Sequence, residues 1–356
     1  MFGDIYNGRR VLITGHTGFK GSWLSYWLKQ LGANVCGIAL PAETEPSHYQ
    51  LLKPAVRSVE EDIRNREVVE TVFSAYHPEI VFHLAAQPLV RKSYQNPLET
   101  LEVNIMGTAN VLEACRKTDS VKAVVVISSD KCYENREQMS GYTEEDPMGG
   151  HDPYSASKGC TELVAASYRK SFFEEAGILL ATARAGNVIG GGDWAADRLV
   201  PDAMRAAADG EEMILRNPAS IRPWQHVLEP LSGYLLLGQK LFEGEKNCAS
   251  AWNFGPDEES LITTEHALEL LQRGWNAVQY THVPDIKAPH EAKILRLNCT
   301  KARTELAWEP VWNAETAFRK TAVWYREYYT AYQLLTEKDL YDYIQDAEKK
   351  GSSWTN

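Results

Sequence analysis

The chain has 356 residues, of which 44% are hydrophobic, and a formal net charge of -11 at pH 7. This length is enough for one large domain or two closely joined domains with a well-buried core. The acidic balance argues against nucleic acid or an anionic membrane as a partner, so local arginines would have to bind an anionic substrate.

Targeting and metal-binding signals are missing from the sequence. The six cysteines show neither CxxC pairing nor metal-ligand spacing, which predicts reduced thiols and no metal site. The chain does not open with a basic and apolar leader, and no apolar run reaches the length of a membrane span. We therefore expect a cytoplasmic protein with no membrane partner.

The first predicted unit is a strand, a glycine-rich turn and a helix. An apolar run at 10–14 predicts a buried strand, and helical spacing predicts a helix over 22–31. The turn between them has GxxGxxG spacing and consists of Gly15, His16, Thr17, Gly18, Phe19, Lys20 and Gly21. Glycines here allow close backbone approach, and a helix N-terminus attracts a pyrophosphate. We predict a dinucleotide site rather than a plain turn.

Further strands are predicted at 35–40, 56–60 and 80–84. No acidic residue ends the strand at 35–40, so the usual argument for NAD over NADP is weak. Asp62, followed by Ile63, could accept a bond from the adenine amino group or cap the helix over 66–76. Three residues leaving the fourth strand would let a cofactor lie against the backbone: Leu84, Ala85 and Ala86.

Strands at 123–127 and 179–183 and helices at 97–117 and 154–176 continue the alternation. The pattern predicts an α/β fold with a doubly wound, mostly parallel Rossmann sheet. After residue 184 the pattern loosens, so we expect a cofactor domain at 1–184 and a smaller mixed α/β substrate domain at 185–356, with segments that can interleave. An amphipathic helix over 315–335 and a polar tail are predicted to end the chain.

The chemistry is predicted between the fifth strand and the helix that begins near residue 154. Tyr154 and Lys158 are four residues apart, so they share a helix face. A phenol is a poor base at neutral pH, but a lysine ammonium and a cationic nicotinamide both favour the phenolate. This pair could take the proton of a sugar hydroxyl while hydride leaves the same carbon. Lys158 could also bind the hydroxyls of the nicotinamide ribose.

Six stretches carry a family resemblance: GHTGFKGSWLS (15–25), HLAAQPLVR (83–91), SDKCY (129–133), YSASK (154–158), RAGNVIGGGDW (184–194) and RPWQHV (222–227). Together they resemble the extended short-chain dehydrogenases/reductases and, within that group, the CDP-glucose 4,6-dehydratases. The resemblance implies NAD as the cofactor and CDP-glucose as the substrate. It also implies a homodimer or homotetramer that pairs through the helices at 97–117 and 154–176.

The reaction that this resemblance implies is an internal redox cycle. Hydride would leave C4 of glucose, water would be lost across C5 and C6, and the hydride would return to C6. Tyr154 would be the base at C4, Ser129 would bond O4, and Asp130 would protonate the departing C6 hydroxyl. The product would be CDP-4-dehydro-6-deoxy-D-glucose, which supplies deoxysugars for O-antigen and other cell-surface polysaccharides.

Lys131 stands where other sugar-nucleotide dehydratases carry the glutamate that removes the C5 proton. Burial beside Lys158 or a cationic nicotinamide could lower its pKa and make it a base. Alternatively, it stays charged and stabilises the enolate while another group, such as Glu134, takes the proton. In a third interpretation it only pairs with Asp130.

Substrate contacts are expected from arginines on loops or at element ends, because a guanidinium fork suits a pyrophosphate. They are Arg198, Arg216 and Arg222. Asn187 and Gln87 join them because they lie in stretches that carry the resemblance. The choice of cytosine as the base rests on the resemblance alone.

Other members of the same family are the nearest alternatives. A different nucleotide-sugar 4,6-dehydratase would share all of these features. A 4-epimerase would share the glycines, Tyr154 and Lys158 but would lack the acid at Asp130, so Asp130 beside Lys131 favours elimination. A non-catalytic NAD(P)-sensing relative would be expected to lose the Tyr-Lys pair, which is intact.

Overall fold

The computed structural model describes residues 1–283 and 295–356. The strands are β1 (Arg10–Thr14), β2 (Asn34–Ala39), β3 (Arg57–Glu60), β4 (Ile80–His83), β5 (Ala123–Ile127), β6 (Leu179–Arg184), β7 (Val188–Ile189), β8 (Glu212–Leu215), β9 (Ile221–Pro223), β10 (Gln225–His226), β11 (Ala251–Asn253), β12 (Leu261–Thr263) and β13 (Gln279–His282).

The α-helices are α1 (Phe19–Gln30), α2 (His48–Leu52), α3 (Arg66–Tyr76), α4 (Val90–Gln95), α5 (Pro97–Leu101), α6 (Thr108–Arg116), α7 (Pro153–Tyr168), α8 (Glu174–Ala176), α9 (Leu199–Asp209), α10 (Leu228–Phe242), α11 (Thr264–Gly274), α12 (Thr300–Glu305), α13 (Ala314–Ala331) and α14 (Thr336–Lys350). Two π-helical segments, Glu102–Gly107 and Arg169–Phe173, continue α5 into α6 and α7 into α8. None of the helices in the described ranges is both long and apolar enough to cross a membrane.

A seven-stranded sheet in the described part of the chain has the order β11-β6-β5-β4-β1-β2-β3. Every neighbouring pair in it is parallel. The central strand β1 places Leu12 opposite Cys36 on one side and Val81 on the other. The predicted doubly wound parallel sheet is therefore confirmed.

Alternate residues of the central strands face opposite layers of helices, as the two-residue period of a strand requires. Val11, Ile13 and Val125 belong to the cluster that contains the apolar residues of α1 and α10. Leu12 and Val124 belong to the cluster with α3, α6 and α7. Because both faces are covered, the carboxyl edge of the sheet is where ligands can reach the strands.

The second half of the chain builds a smaller α/β unit with its own apolar cluster. The cluster is formed by side chains of α9, α11 and α13 together with Trp194 and Trp224. Short strand pairs, β7 with β10, β9 with β12 and β8 with β13, surround it. However, α10 and β11, which follow residue 184, pack into the large sheet. The domain boundary near residue 184 stays a prediction.

The stretch after residue 335, predicted only as a polar tail, forms a helix that the sequence did not predict, α14 at Thr336–Lys350. Its Leu340, Tyr343 and Ala347 are buried, and the ring of Tyr343 stacks on Trp354 at 5.7 Å between centroids. The apolar stripe is narrow and charged residues surround it, so composition alone conceals the helix.

Candidate active site

The glycine-rich turn lies between β1 and α1, beside the end of β4. Gly15 has a φ of +77°, and a Cβ added there would lie 2.7 Å from the backbone N of Ala85. A Cβ at Gly21 would collide with the carbonyl oxygen of Gly15. Helix α1 begins after Gly18 without a side-chain cap. These features fit a dinucleotide pyrophosphate, which needs close backbone approach and open N–H groups at a helix start.

Two side chains of the turn are engaged by the protein itself. The His16 ring is buried against Gly37, and its Nε2 lies 2.8 Å from Ser58 Oγ. Burial lowers the pKa of His16 to about 4, so the ring is neutral. Thr17 Oγ1 donates to the carbonyl of Leu40 at 2.8 Å. These two residues would therefore contact a cofactor through their backbone atoms.

The structure decides against the capping role considered for Asp62. Asn65, not Asp62, caps α3 by accepting a bond from Val68 N. Asp62 instead accepts bonds from the backbone and the guanidinium of Arg64, at 2.8 and 2.7 Å. Ile63 is buried against Gly107, where a Cβ would lie 2.5 Å from Ile63 Cδ1. The adenine role of Asp62 stays a prediction.

The structure brings Ser129, Asp130 and Tyr154 together at the carboxyl end of β5. Ser129 Oγ donates to Asp130 Oδ1 at 2.9 Å, and both residues are close enough to the Tyr154 phenol to influence its pKa. Helix α7 starts where it can present Tyr154, because Asp152 accepts a 3.0 Å bond from Ser155 N and Pro153 follows the cap. All three side chains of the cluster are buried.

Gly186 makes room for Asp130. A Cβ at Gly186 would collide with Asp130 Oδ2, so only glycine allows the carboxyl group to lie there. Gly186, next to Asn187, therefore leaves space for a catalytic candidate, a role that the sequence did not predict.

Burial and neighbouring charges set the protonation of the pair on α7. Burial, followed by the Asp130 carboxylate, raises the pKa of Tyr154 to about 12, while the Ser129 hydroxyl and Arg198 act in the opposite direction. Burial lowers the pKa of Lys158 to about 8, and the Glu162 carboxylate one turn further along raises it. Tyr154 thus depends on nearby positive charge to act as a base.

Glu162 lies in a buried network behind the site. Its carboxylate pairs with Arg184 at 2.9 Å, accepts a bond from Thr182 Oγ1 at 2.6 Å, and accepts another from Ser128. Both partners of the ion pair are almost fully buried. Although burial alone would raise the pKa of Glu162, Arg184 and the hydrogen bonds hold it below its ordinary value.

Lys20 reaches from the glycine-rich turn toward this centre. Its ammonium lies over the Tyr234 ring, 5.9 Å from the centroid. Burial and then Arg198 lower the pKa of Lys20 to about 8, against the opposite effect of Asp130. The sequence predicted a cofactor contact for Lys20 but not a second amine beside Asp130.

Arg198 is a second cation close enough to Tyr154 to lower the pKa of its phenol. Its Nη1 pairs with Asp193 Oδ2 at 2.8 Å. The Tyr325 hydroxyl accepts a 2.9 Å bond from Asp193 N and donates to Asp193 O. Helix α13 therefore holds the loop that positions Arg198 near Tyr154.

The side chain of Lys131 is exposed in this structure, and its role as the C5 base stays a prediction. Within residues 1–283 and 295–356, no ion pair joins it to Asp130, so the simple pairing interpretation is wrong. Glu134 is 51% exposed in its side chain and pairs with Arg136. Neither candidate C5 base is desolvated in this structure.

The other residues predicted to bind substrate lie in different parts of the fold. The Gln87 amide donates to Leu89 O at 3.1 Å and to Thr100 Oγ1 at 2.8 Å and so braces the loop in this structure, while its substrate role stays a prediction. Asn187 follows Gly186 with a φ of +45°. Arg222 lies in β9, and Arg216 directly follows β8. Their substrate roles stay predictions.

A cavity of about 380 Å³ opens beside Asp130 and Gly186. Two arginines that the sequence interpretation missed, Arg296 and Arg303, line its far wall. They pair with Glu258 and Asp257, respectively. No local pattern marks them, because they reach the site only through the folding of the second half.

No cluster of three or more His, Cys, Asp or Glu side chains suited to a metal ion occurs in the two ranges that the structure covers. The cysteines are unpaired, and all except Cys160 are buried.

A family model described as GDP-mannose 4,6 dehydratase matches residues 12–321. A CDP-glucose 4,6-dehydratase of Salmonella typhimurium is 46% identical over 350 residues, which cover 96% of this chain and 98% of that protein. A probable dTDP-glucose 4,6-dehydratase of Sinorhizobium fredii is 27% identical, with 92% of this chain and 96% of that protein covered.

Solved structures share the fold. DesIV, a dTDP-glucose 4,6-dehydratase of Streptomyces venezuelae with NAD and TYD bound, has a TM-score of 0.75 at 24% identity and covers 89% of this chain and 97% of that chain. A UDP-glucose 4-epimerase of Thermotoga maritima has a TM-score of 0.76 at 24% identity and covers 89% of this chain and 99% of that chain. The chain belongs to the GDP-mannose 4,6 dehydratase family of extended short-chain dehydrogenases/reductases.

Proposed function

We propose that this protein is an NAD-dependent nucleotide-sugar 4,6-dehydratase that converts CDP-D-glucose to CDP-4-dehydro-6-deoxy-D-glucose and water. The observation that carries the proposal is the buried cluster of Ser129, Asp130 and Tyr154 beside a cavity, in which Ser129 Oγ donates to the Asp130 carboxyl group. A base alone would serve an epimerase, whereas the adjacent carboxyl group supports the loss of water. The 46% identity to the Salmonella typhimurium protein supports CDP-glucose as the substrate.

The cofactor would be held by the sequence-predicted residues at the strand ends. The start of α1 would face the pyrophosphate, Asp62 and Ile63 would border the adenine, and Lys158 would bind the nicotinamide ribose. Leu84, Ala85 and Ala86 would lie along the cofactor. When bound, NAD+ would accept the hydride from C4 and return it to C6.

Side chains of the protein transfer the protons of the reaction. Tyr154 takes the proton of the 4-hydroxyl, helped by the positive charge of Lys158 and Arg198. Ser129 bonds O4 of the sugar. The resulting ketone acidifies the C5 proton, and Asp130 protonates the 6-hydroxyl as it departs. Burial of these groups strengthens each of these electrostatic effects.

The nucleotide and its diphosphate would occupy the 380 Å³ cavity. Arg296 and Arg303 line this cavity, and the sequence-predicted residues Arg198, Asn187 and Arg222 would add contacts to the substrate. Guanidinium groups bind phosphate oxygens in a bidentate manner.

Product analysis with four substrates tests this function. The protein is incubated with NAD+ and CDP-, UDP-, GDP- or dTDP-glucose, and the 4-keto sugar is detected by its absorbance in alkali. We expect the ketone from CDP-glucose. Ketone from dTDP-glucose alone would keep the reaction and overturn the choice of base, and no ketone from any of the four would defeat the dehydratase.

We also propose that the protein forms a homodimer or homotetramer in the cytoplasm. Apolar side chains are exposed on the helices that run from α5 to α6 and along α7: Leu98 is 73%, Met106 57% and Leu163 60% exposed. Such a surface is typical of subunit contacts. Light scattering should give a multiple of the 40.0 kDa chain mass. Leu163→Glu should reduce it, whereas Tyr341→Glu, at an exposed position on α14, should not.

A further inference from the structure

We propose that Tyr133 and Asn253 are positioning residues that hold Asp130 in a fixed place relative to the arginine wall of the cavity. The arginine wall is the segment 296–303, which begins and ends with the two cavity arginines. This inference rests on the proposed dehydratase function and adds two residues to it. The nucleotide sugar would contact both places at once, with its diphosphate on the arginines and its 6-hydroxyl on Asp130. Their separation therefore decides whether a bound sugar meets the acid.

Tyr133 fixes the end of the turn that carries Asp130. A single 3-10 turn covers Asp130–Cys132, and Tyr133 follows it directly. The Tyr133 side chain is buried, and its ring stacks on Tyr142 with 5.2 Å between the centroids. Its hydroxyl oxygen accepts a 2.6 Å bond from Arg184 Nη1. Because a guanidinium can only donate, the hydrogen of the Tyr133 hydroxyl remains for another acceptor.

Asn253 supplies that acceptor at the end of β11. The Tyr133 hydroxyl donates to Asn253 Oδ1 at 2.7 Å. Asn253 Nδ2 donates to the backbone carbonyls of Tyr142 at 2.9 Å and Asn298 at 3.1 Å. Since a carbonyl can only accept, these two carbonyls determine which end of the amide faces Tyr133. Asn253 is fully buried and both polar atoms of its side chain are bonded, so the contact is rigid.

The same contacts reach the arginine wall. Tyr142 N donates to Arg296 O at 2.9 Å, and Asn298 N donates to Tyr142 O at 2.8 Å. Arg296 and Asn298 line the cavity that Asp130 also lines. A continuous series of hydrogen bonds and one ring stack therefore joins the turn of the proposed acid to the proposed diphosphate site.

The proposed base does not lie on this turn. Tyr154 is part of α7, whereas Asp130 precedes Tyr133 by three residues. Movement of Tyr133 should therefore displace the acid relative to C6 more than the base relative to C4. A misplacement of about 1 Å can cost a catalysed step roughly 100-fold. Water loss should consequently be more sensitive to Tyr133 than oxidation at C4.

Tyr133→Phe tests this link through the loss of one hydroxyl, because the ring and its stacking remain. The protein is mixed with NAD+ and CDP-glucose, and the absorbance of NADH is followed through a single turnover. We expect NADH to form at the wild-type rate and to decay at least about tenfold more slowly. A loss of folded protein would instead lower the amplitude without changing the rates. Equal slowing of both phases, or an unchanged decay, overturns the proposal.

Tyr6→Phe is the matched control. Tyr6 is also a buried tyrosine, and its hydroxyl donates to Leu235 O at 2.6 Å in the core beside α10. The same chemical change is therefore made at a hydrogen-bonded phenol that does not line the cavity. This variant should keep the wild-type rates of both phases.

Calorimetric titration with CDP tests the link without catalysis. Asn253→Ala removes the bonds to the backbone beside the arginine wall, so the dissociation constant of CDP should rise roughly tenfold. Tyr133→Phe keeps those bonds and should bind CDP like the wild type. Unchanged binding in folded Asn253→Ala overturns the link to the wall, and the NADH kinetics of Tyr133→Phe decide the proposal if Asn253→Ala does not fold.

The wild-type protein separates the two proposals. If it makes no ketone from CDP-glucose, the proposed function fails and this inference fails with it. If it makes ketone while Tyr133→Phe shows unaltered NADH kinetics, the inference alone fails.

Discussion

The two walls of the active site are built in different ways. The first wall is the carboxyl edge of the large sheet, where β1, β4 and β5 end and α1 and α7 begin. Its residues are close to one another in the sequence within each strand–turn–helix unit. The second wall comes from the second half, where Arg296, Arg303 and the loop at Asp193 are brought in from distant segments.

This difference explains which residues a sequence can reveal. A glycine turn, a cap and a four-residue spacing are local patterns, so they identify the first wall directly. A cavity arginine has no such pattern, because its position depends on packing between segments far apart in the chain. Experiments on the two walls should therefore separate chemistry from substrate binding.

The largest effect is expected on the first wall, from Tyr154→Phe. Loss of the phenol removes the proposed base, so kcat should fall by roughly 10²–10⁴-fold. Ketone formation under saturating substrate measures this change. Tyr168→Phe, on the same helix, is the matched control and should retain the wild-type rate.

Arg184→Met should also have a large effect, but it should lower the stability of the protein rather than act on the chemical step. The variant leaves the buried Glu162 carboxylate without its ion-pair partner, which should lower the free energy of unfolding by about 3–5 kcal/mol. Denaturant titration measures the loss. The double variant with Glu162→Gln should cost less than the sum of the two single changes, and additive losses would argue against their coupling.

On the second wall, Arg296→Gln and Arg303→Gln should affect binding. Loss of a charged hydrogen bond to a diphosphate costs about 1.5–3 kcal/mol, so KM should rise roughly ten- to a hundredfold with little change in kcat. Arg273→Gln, at an exposed site on α11, is the control. A fall in kcat alone would place these arginines at the chemistry instead of the nucleotide.

The pH profile tests the electrostatics of the first wall. Lys158 supports the phenolate only as an ammonium, and burial lowers its pKa to about 8. Activity should therefore be present below this pKa and decline as the pH rises through it. Lys20 has a similar pKa. Lys20→Met should keep the alkaline decline if Lys158 causes it, and loss of the decline would assign it to Lys20.

The smallest effect is expected from Lys131→Met. A lysine becomes a base through desolvation, and the exposed Lys131 lacks it. Exchange of the C5 hydrogen with solvent deuterium, measured by mass spectrometry of the product, should continue in the variant. Lost exchange with retained oxidation at C4 would restore Lys131 as the C5 base.

The sequence predicted the sheet, the glycine turn and the grouping of Ser129, Asp130 and Tyr154, because each depends on short-range patterns. It failed where a role depends on distant packing. For example, the sequence did not predict that the Gln87 amide braces a loop, and the substrate role of Gln87 stays a prediction. The burial of Lys131 could not be judged from neighbours in the chain. Helix α14 was missed because charged residues surround its few apolar side chains.

The placement of α10 and β11 has a consequence for synthesis on the ribosome. Helix α10 covers one face of the large sheet, and β11 pairs with β6. Both segments are synthesised after β1–β6. Until then, the nascent chain carries an apolar sheet face and an unpaired edge, which are both prone to aggregation. Continuous elongation through β11 should therefore matter for yield, and a pause placed between β6 and α10 should increase the insoluble fraction.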